Sequence, residues 1–472
     1  MLTHVSSPNV KTIEGEIFGA MVAAGAISKA NADEPKKSSL VRCARTDKGV
    51  HAAGNVLSLK LIIEDKDIVK KINDHLPPQI RIWGIEQTVN SFSAYQQCDS
   101  RIYEYLMPTH SFLPPHPQTY LAKKLEALAL EANDIEAYKA RQADAETFWT
   151  DTEEHYVKPL LDAIDPKLRE EAVQNVLVIP PKIPTELDAS ISAQPSPSPA
   201  QDKDNPGTTI TATIVDDPSS KPVSDLDLAV RSIKAAHLQA KLAYRITPAR
   251  LARLQSTFSR YVGTHKYHNY TVQVRHDDPS CRRHIKSFSV SGDPFLINDT
   301  EWIKIKVHGQ SFMMHQIRKM VSMASMIVRC GTHEGRVQDS YDVPKMIIPR
   351  APALGLLLER PIFEGYNKYG RLKGHDRREE VKFDAYREEI ERFKEMEIYQ
   401  RMWKDEAEGQ IFANFFAGLD SLQTDSLLYF SSVGMNAVKE HGNIHAEDAM
   451  NVHKALGEEE GADNQNGKED GG

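Results

Sequence analysis

The chain has 472 residues, 40% of them hydrophobic, 26% charged and 7% aromatic, the composition of an ordinary soluble protein with room for two or three domains. No run of eighteen or more apolar residues occurs, which argues against a membrane span, and MLTHVSSPNVK does not read as a secretory signal. The net charge of −8 argues against a nucleic-acid binder only until it is divided along the chain. Residues 433–472 carry three basic and nine acidic groups, and 121–230 carry ten basic and twenty-one acidic. Residues 231–360 carry twenty-one basic and nine acidic, a net of +12. A basic body with acidic appendages suits a polyanionic partner, because phosphate neutralisation dominates such affinities.

Residues 11–26 place Ile13, Ile17, Phe18, Met21 and Ala24 at helical spacing and predict an amphipathic helix. GNVLSLKLII (54–63) alternates and predicts a strand. DIVKKINDH (67–75) predicts a helix that stops before Pro77 and Pro78, and IRIWGIE (80–86) and RIYEYLM (101–107) predict two further strands. These belong to a first block, 1–120. The next segment, 121–230, reads as an acidic insertion, helical to about residue 175. From 181 to 224 it is rich in Pro, Ser, Thr and Asp, and is expected to be disordered because it has too little apolar content to offset ordering entropy.

A second block, 231–365, repeats the mixture. Residues 249–262 predict a helix, 285–292 and 301–309 strands, 311–330 a long helix, and 351–364 a glycine-broken apolar strand. Two α+β blocks of like content suggest a duplicated architecture. Residues 366–432 predict a charged helical extension, and 433–472 a disordered acidic tail. Cys43, Cys98, Cys281 and Cys330 form no CxxC pair and read as reduced thiols. His265, His268, Cys281 and His284 match no common ligand spacing, so no metal site is expected.

The chemistry is concentrated in RCARTDKGVHAAGNVLSLK, 42–60. Taken alone, Asp47-Lys48-Gly49 is an ordinary turn. Arg45 is near enough in sequence to hold a carboxylate ionised, and Gly49 and Gly54 allow close backbone approach. RTDKGVHAAG resembles the signature of the TruA family of tRNA pseudouridine synthases, and RCARTDKGV with AAG and VLSLK resembles its eukaryotic branch. KINDHLPPQIRIWGI, FSAYQQCDSRIYEYLMPT, YVGTHKYHNYT, GQSFMMHQIRKMV and APALGLLLERPIFE resemble further family stretches in the same order. The likeness spans about 10–115 and 250–370, roughly half the chain.

The resemblance implies a fold of two ferredoxin-like halves side by side, sharing one mixed, mostly antiparallel sheet with a central basic cleft. It implies that a uridine is flipped out of RNA, its glycosidic bond broken, and the base rejoined through carbon 5, with no cofactor. Asp47 takes the place of the catalytic carboxylate (the nucleophile), and Tyr103 that of the tyrosine that stacks on the target base. Arg318 takes the place of the basic partner of that carboxylate, and Arg45 holds the nucleotide or the loop. Lys48, His265, Lys266 and Lys319 are the expected RNA contacts. The partner implied is tRNA, with small nuclear RNA and mRNA as further candidates. A monomer is implied, located in the nucleus, with mitochondrion and cytoplasm as alternatives.

One departure stands out. Family members open with a strand before the helix that starts here near Lys11, so the first half is expected to lack its opening strand and to be less stable for it. An RNA-binding protein weak or inactive in catalysis is therefore the competing expectation, with a metal-dependent nuclease a distant third.

Overall fold

The computed structural model describes residues 12–176, 224–372 and 378–440. The chain divides into two units, Met1–Trp149 with Gln239–Gly472, and Thr150–Leu238. Among the described residues the first unit contains β1 (Val41–Arg42), β2 (His51–Ala52), β3 (Leu57–Ser58), β4 (Ser100–Pro108), β5 (Gly263–Lys266), β6 (Arg282–Val290), β7 (Phe295–Ile297), β8 (Thr300–Gly309) and β9 (Leu356–Ile362). Seven of them form one mixed sheet in the order β2-β9-β4-β8-β6-β5, with β7 pairing on β8. β2 runs parallel to β9, and every other pairing is antiparallel. The architecture is thus mixed α+β. The first block lends β2 and β4 to a sheet whose remaining strands come from the second.

Alternation decides what each face of this sheet covers. In β8, Ile303, Ile305 and Val307 are buried, while Lys304, Lys306 and His308 lie between them on the opposite side. β4 pairs with β8 in register Tyr103↔Val307 and Glu104↔Lys306. Tyr103 therefore shares the apolar face and Glu104 the charged one. Helices α1 (Ile13–Ala23), α2 (Ile68–Asp74) and α3 (Tyr120–Glu131) come first in the chain, and the apolar face is closed by α4 (Pro248–Ser259) and α5 (Gln316–Arg329). α5 is buried almost throughout, and Ser322, Ala324 and Ser325 keep its surface low enough to lie deep. The Ser325 hydroxyl spends its polarity on the Val321 carbonyl, 2.9 Å away.

The charged face is covered too, by the C-terminal region. Arg387–Phe393 runs through the π-helical turn Lys394–Tyr399 into Gln400–Gly409, and Ile411–Ser421 follows. Lys394, 1% exposed, sits 3.1 Å from the Glu104 carboxylate, and the Tyr399 hydroxyl donates to the same group at 2.6 Å. Met435–Glu440 is helical with Ala437 fully buried, inside the segment expected to be tail. Residues 441–472 lie outside the described residues, as does the expected disordered stretch apart from Ser224.

Two strand expectations need correction. Of 54–63, only Leu57–Ser58 pairs, antiparallel to Val41–Arg42, and 80–86 forms no strand. The Ile82 backbone finds a side chain instead: its N–H donates to Asn73 Oδ1 and its carbonyl accepts from Asn73 Nδ2, both at 2.8 Å. The apolar residues of both stretches still do what alternation implies. Leu59, Leu61, Ile80, Ile82 and Ile85 pack with Phe18, Met21, Ile68 and Ile72 of the helices Ile13–Ala23 and Ile68–Asp74.

The second unit has its own small core of Val157, Ala172, Ala229, Ile233 and Ala236. These come from Pro166–Val176, from the helix Asp225–Ala243 as far as Leu238, and from the chain around 157. All four cysteines are free thiols, and no helix among the described residues is long and apolar enough to cross a membrane.

Candidate active site

The Asp47 loop reaches the sheet through β2, whose His51 and Ala52 pair with Leu357 and Leu358 of β9. Asp47 opens a turn: the Val50 N–H donates to the Asp47 carbonyl at 3.1 Å, and Gly49 has φ +80°, the sign that a type II turn requires at its third position. Asn55 Nδ2 donates to the Ala44 carbonyl at 2.9 Å, and Arg101 Nη2 to that of Cys43 at 2.8 Å. The first bond closes the loop on itself, and the second fixes it to β4, the strand on which Tyr103 rides.

The turn aims Asp47 inward, at the first turn of α5. Its Oδ2 lies 2.8 Å from His315 Nδ1 and 3.6 Å from Arg318 Nη1, and its side chain keeps 19% exposure. Arg318 is braced by its Nε, which donates to the Ala351 carbonyl at 2.6 Å. His315 is held on its other side by Arg350, Nη1 to Nε2 3.0 Å. Burial alone would push the Asp47 carboxyl up. The hydrogen bond from His315 and the charge of Arg318 overcome that and hold it below the usual carboxylate range.

Tyr103 completes the wall. It is 7% exposed and meets Phe312 edge-on, centroids 5.2 Å apart. The β4–β9 register shifts between Ile102 and Tyr103, and such a bulge re-aims a side chain. Burial pushes the phenol well above its ordinary range, with the Asp47 charge among the groups that add to the effect. Tyr103 therefore stays protonated across the physiological range.

Asp47 pairs with Arg318, and Tyr103 lies close enough to feel the Asp47 charge, so the three sequence candidates fall in one neighbourhood. Arg45 and Lys48 lie exposed on the loop beside them. His265 and Lys266 are elsewhere. They sit on β5, at the opposite end of the strand order from β2, which at one strand spacing per step is roughly 24 Å away. His265 stacks on Tyr341 at 4.3 Å, and Lys266 Nζ lies 3.4 Å from the His276 ring nitrogens. Of the neighbouring histidines, His284 bonds to Thr264 and His268 meets His276 edge-on.

Lys319 requires a correction. It is 4% exposed, and its ammonium donates to the carbonyls of Thr271 at 3.2 Å and Asn269 at 3.5 Å. It ties α5 to the turn His268–Tyr270 rather than facing RNA. Sequence reasoning also passed over His315 and Arg350. The signal for His315 was its place three residues before Arg318, on one face of the same helix turn.

Residues 258–364 match the family model for tRNA pseudouridine synthase. The chain is 40% identical over 427 residues to tRNA pseudouridine synthase 1 of Yarrowia lipolytica, covering 90% of this chain and 72% of that one. With tRNA pseudouridine synthase 1 of Schizosaccharomyces pombe it shares 37% over 482 residues, 97% of this chain and 87% of the other. The chain belongs to the TruA family of tRNA pseudouridine synthases, in its eukaryotic branch. The Saccharomyces cerevisiae tRNA pseudouridine(27/28) synthase is a more distant member, 32% identical over 89% of this chain and 95% of its own length. Because the Schizosaccharomyces pombe alignment spans 97% of the chain, the pseudouridine synthase relationship takes in the Asp47 loop as well as α5.

Proposed function

We propose that this chain isomerises uridine to pseudouridine in tRNA, with Asp47 as the carboxylate that acts on an extruded nucleotide. The observation that carries this reading is one constellation. A carboxylate from the loop before β2 is held by Arg318 from α5, beside a buried tyrosine on β4. The reaction breaks the bond between N1 and the sugar, turns the base, and forms a bond from C5 to the same sugar carbon, with the C5 proton lost at the end. Nothing is oxidised or transferred away, so the chemistry calls on carboxylate, phenol and cation alone.

An ionised Asp47 supplies negative charge, or a base, where the glycosidic bond opens. Tyr103 supplies a flat face for the base and a phenolic proton. Arg45 and Lys48 supply positive charge beside the phosphate of the flipped nucleotide, which helps offset an unstacking cost of a few kcal/mol. His265 and Lys266 serve a more distant stretch of the same RNA.

The finer assignments belong to this proposal too. We read the fold as two ferredoxin-like halves sharing one sheet beside the Asp47 loop; the mixed sheet, antiparallel but for β2–β9, supports it. A monomer is supported by the C-terminal helices, which cover the sheet's charged face with the chain's own residues. Nuclear action, and small nuclear RNA or mRNA as further substrates, rest on the family branch alone.

The test is direct. Unmodified tRNA transcript is incubated with enzyme and pseudouridine is mapped chemically. Wild type is expected to give product, and Asp47→Ala none at comparable tRNA binding. Product from Asp47→Ala at the wild-type rate sinks the assignment.

A further inference from the structure

The contacts of Asp47 with the described residues are one-sided. The bond from His315 and the ion pair with Arg318 both end on Oδ2. His315 is itself clamped. A guanidinium only donates, so the 3.0 Å contact from Arg350 makes Nε2 of His315 the acceptor and leaves the ring proton on Nδ1, directed at Asp47. With one ring nitrogen donating to Asp47 and the other accepting from a group that cannot take up a proton, the imidazole is poorly placed to relay one.

The backbone is committed to the same end. His315 caps α5 at φ +61°, ψ 0°, a left-handed conformation that strains a residue with a side chain. Gln316 braces the turn: its Oε1 accepts from the Met313 N–H at 2.9 Å, and the residue is fully buried. A strained residue with a 2% exposed side chain, oriented by a buried arginine, is more than packing requires.

We propose that His315 is a positioning residue for Asp47: oriented by Arg350, it anchors Oδ2 and so turns Oδ1 toward the nucleotide. The proposal rests on the catalytic reading of Asp47 and sharpens it to one oxygen. Among the described residues, the charged groups that face the imidazole or its partner include Asp47 from the loop before β2, Arg350 from the segment before β9, and Arg318 from α5 itself.

The experiment compares wild type, Asp47→Ala, His315→Ala and His315→Asn. It measures single-turnover pseudouridine formation on unmodified tRNA transcript from about pH 3 to pH 8, low enough to reach the wild-type acid limb, and tRNA binding by the same proteins. The Asn amide N–H takes the place of Nδ1–H, whereas Ala leaves Oδ2 without that donor. His315→Ala is expected to lose about 100-fold in rate with tRNA binding unchanged, and to begin losing activity at a higher pH than wild type as acid is added. His315→Asn is expected to recover most of the rate and to return the acid limb to its wild-type place. The proposal is overturned if His315→Ala keeps the wild-type limb and rate, or if His315→Asn recovers no more than Ala. Either result, with Asp47→Ala still inactive, leaves the catalytic reading standing. Activity in Asp47→Ala removes both.

Discussion

Arg318 and Lys319 are neighbouring cations on one helix, yet one reaches Asp47 and the other holds two carbonyls of the chain. A helix turns 100° per residue, so adjacent side chains cannot serve the same surface. Lys319→Met should therefore lose about 1–3 kcal/mol of stability in denaturant titrations, the cost of leaving those carbonyls without their charged donor. It should leave the slope of tRNA affinity against salt unchanged, whereas a phosphate-contacting lysine would reduce that slope by about one. At this scale the sequence was informative where a motif named the residue, as for Asp47, Tyr103 and Arg318. It was uninformative where duty depends on what lies across the fold. Nothing in HQIRK tells that His315 meets an arginine from residue 350, because that partner is supplied by topology alone.

Lysines alternating along β8 ordinarily mark a wet face, and here they lie beneath the C-terminal helices. Lys304 sits 5.2 Å from the Tyr399 ring, Lys306 is 3.1 Å from Glu359, and Glu104 is 2% exposed between Lys394 and Tyr399. Burial pushes the Glu104 carboxyl up, but the Lys394 charge and the Tyr399 hydroxyl hold it below its usual range. A carboxyl whose folded value is depressed adds stability above its unfolded value, about 4.3, and that stability is lost as pH falls through the folded value. Removing Lys394 leaves the buried carboxylate with the Tyr399 hydroxyl and the more distant Lys306 at 3.6 Å, so Lys394→Met should cost about 3 kcal/mol at pH 7. The deficit should shrink toward pH 4 as Glu104 takes up a proton, and Glu104→Gln combined with Lys394→Met should recover much of it. Urea unfolding of wild type and the two variants at the two pH values measures this; an equal deficit at both would show that the pair is not what anchors the extension. Element identity in β4, β8 and α5 was legible from periodicity. The ladder partners were not: alternation in 54–63 and 80–86 tells which side chains turn inward, and is silent on whether a neighbouring backbone is there to pair.

Across the whole molecule the positive charge of 231–360 is smaller in effect than in count. Arg250, Arg329, Lys319 and Arg350 are each 7% exposed or less, and Arg329 is spent on Asp420 at 2.5 Å. The face left for RNA is therefore only moderately basic, and the acidic residues of the chain weigh correspondingly more. Glu186, Asp188, Asp202, Asp204, Asp216 and Asp217 fall within one stretch of the insertion and carry six negative charges on the same chain. A tethered polyanion competes with RNA phosphate for the same cations, and the competition is electrostatic, so it decays with a screening length of about 10 Å at 0.1 M salt. Changing all six to Asn or Gln should raise affinity for an unrelated RNA severalfold at low salt and steepen its salt dependence, with the rate on saturating tRNA unaltered. The two proteins should converge as salt rises toward 1 M, where screening shortens to about 3 Å. If affinity for unrelated RNA is the same at every salt concentration, the insertion's charge does not reach the basic face. In that case the chain's selectivity must come from the shape of the site around Asp47 and not from repulsion at a distance.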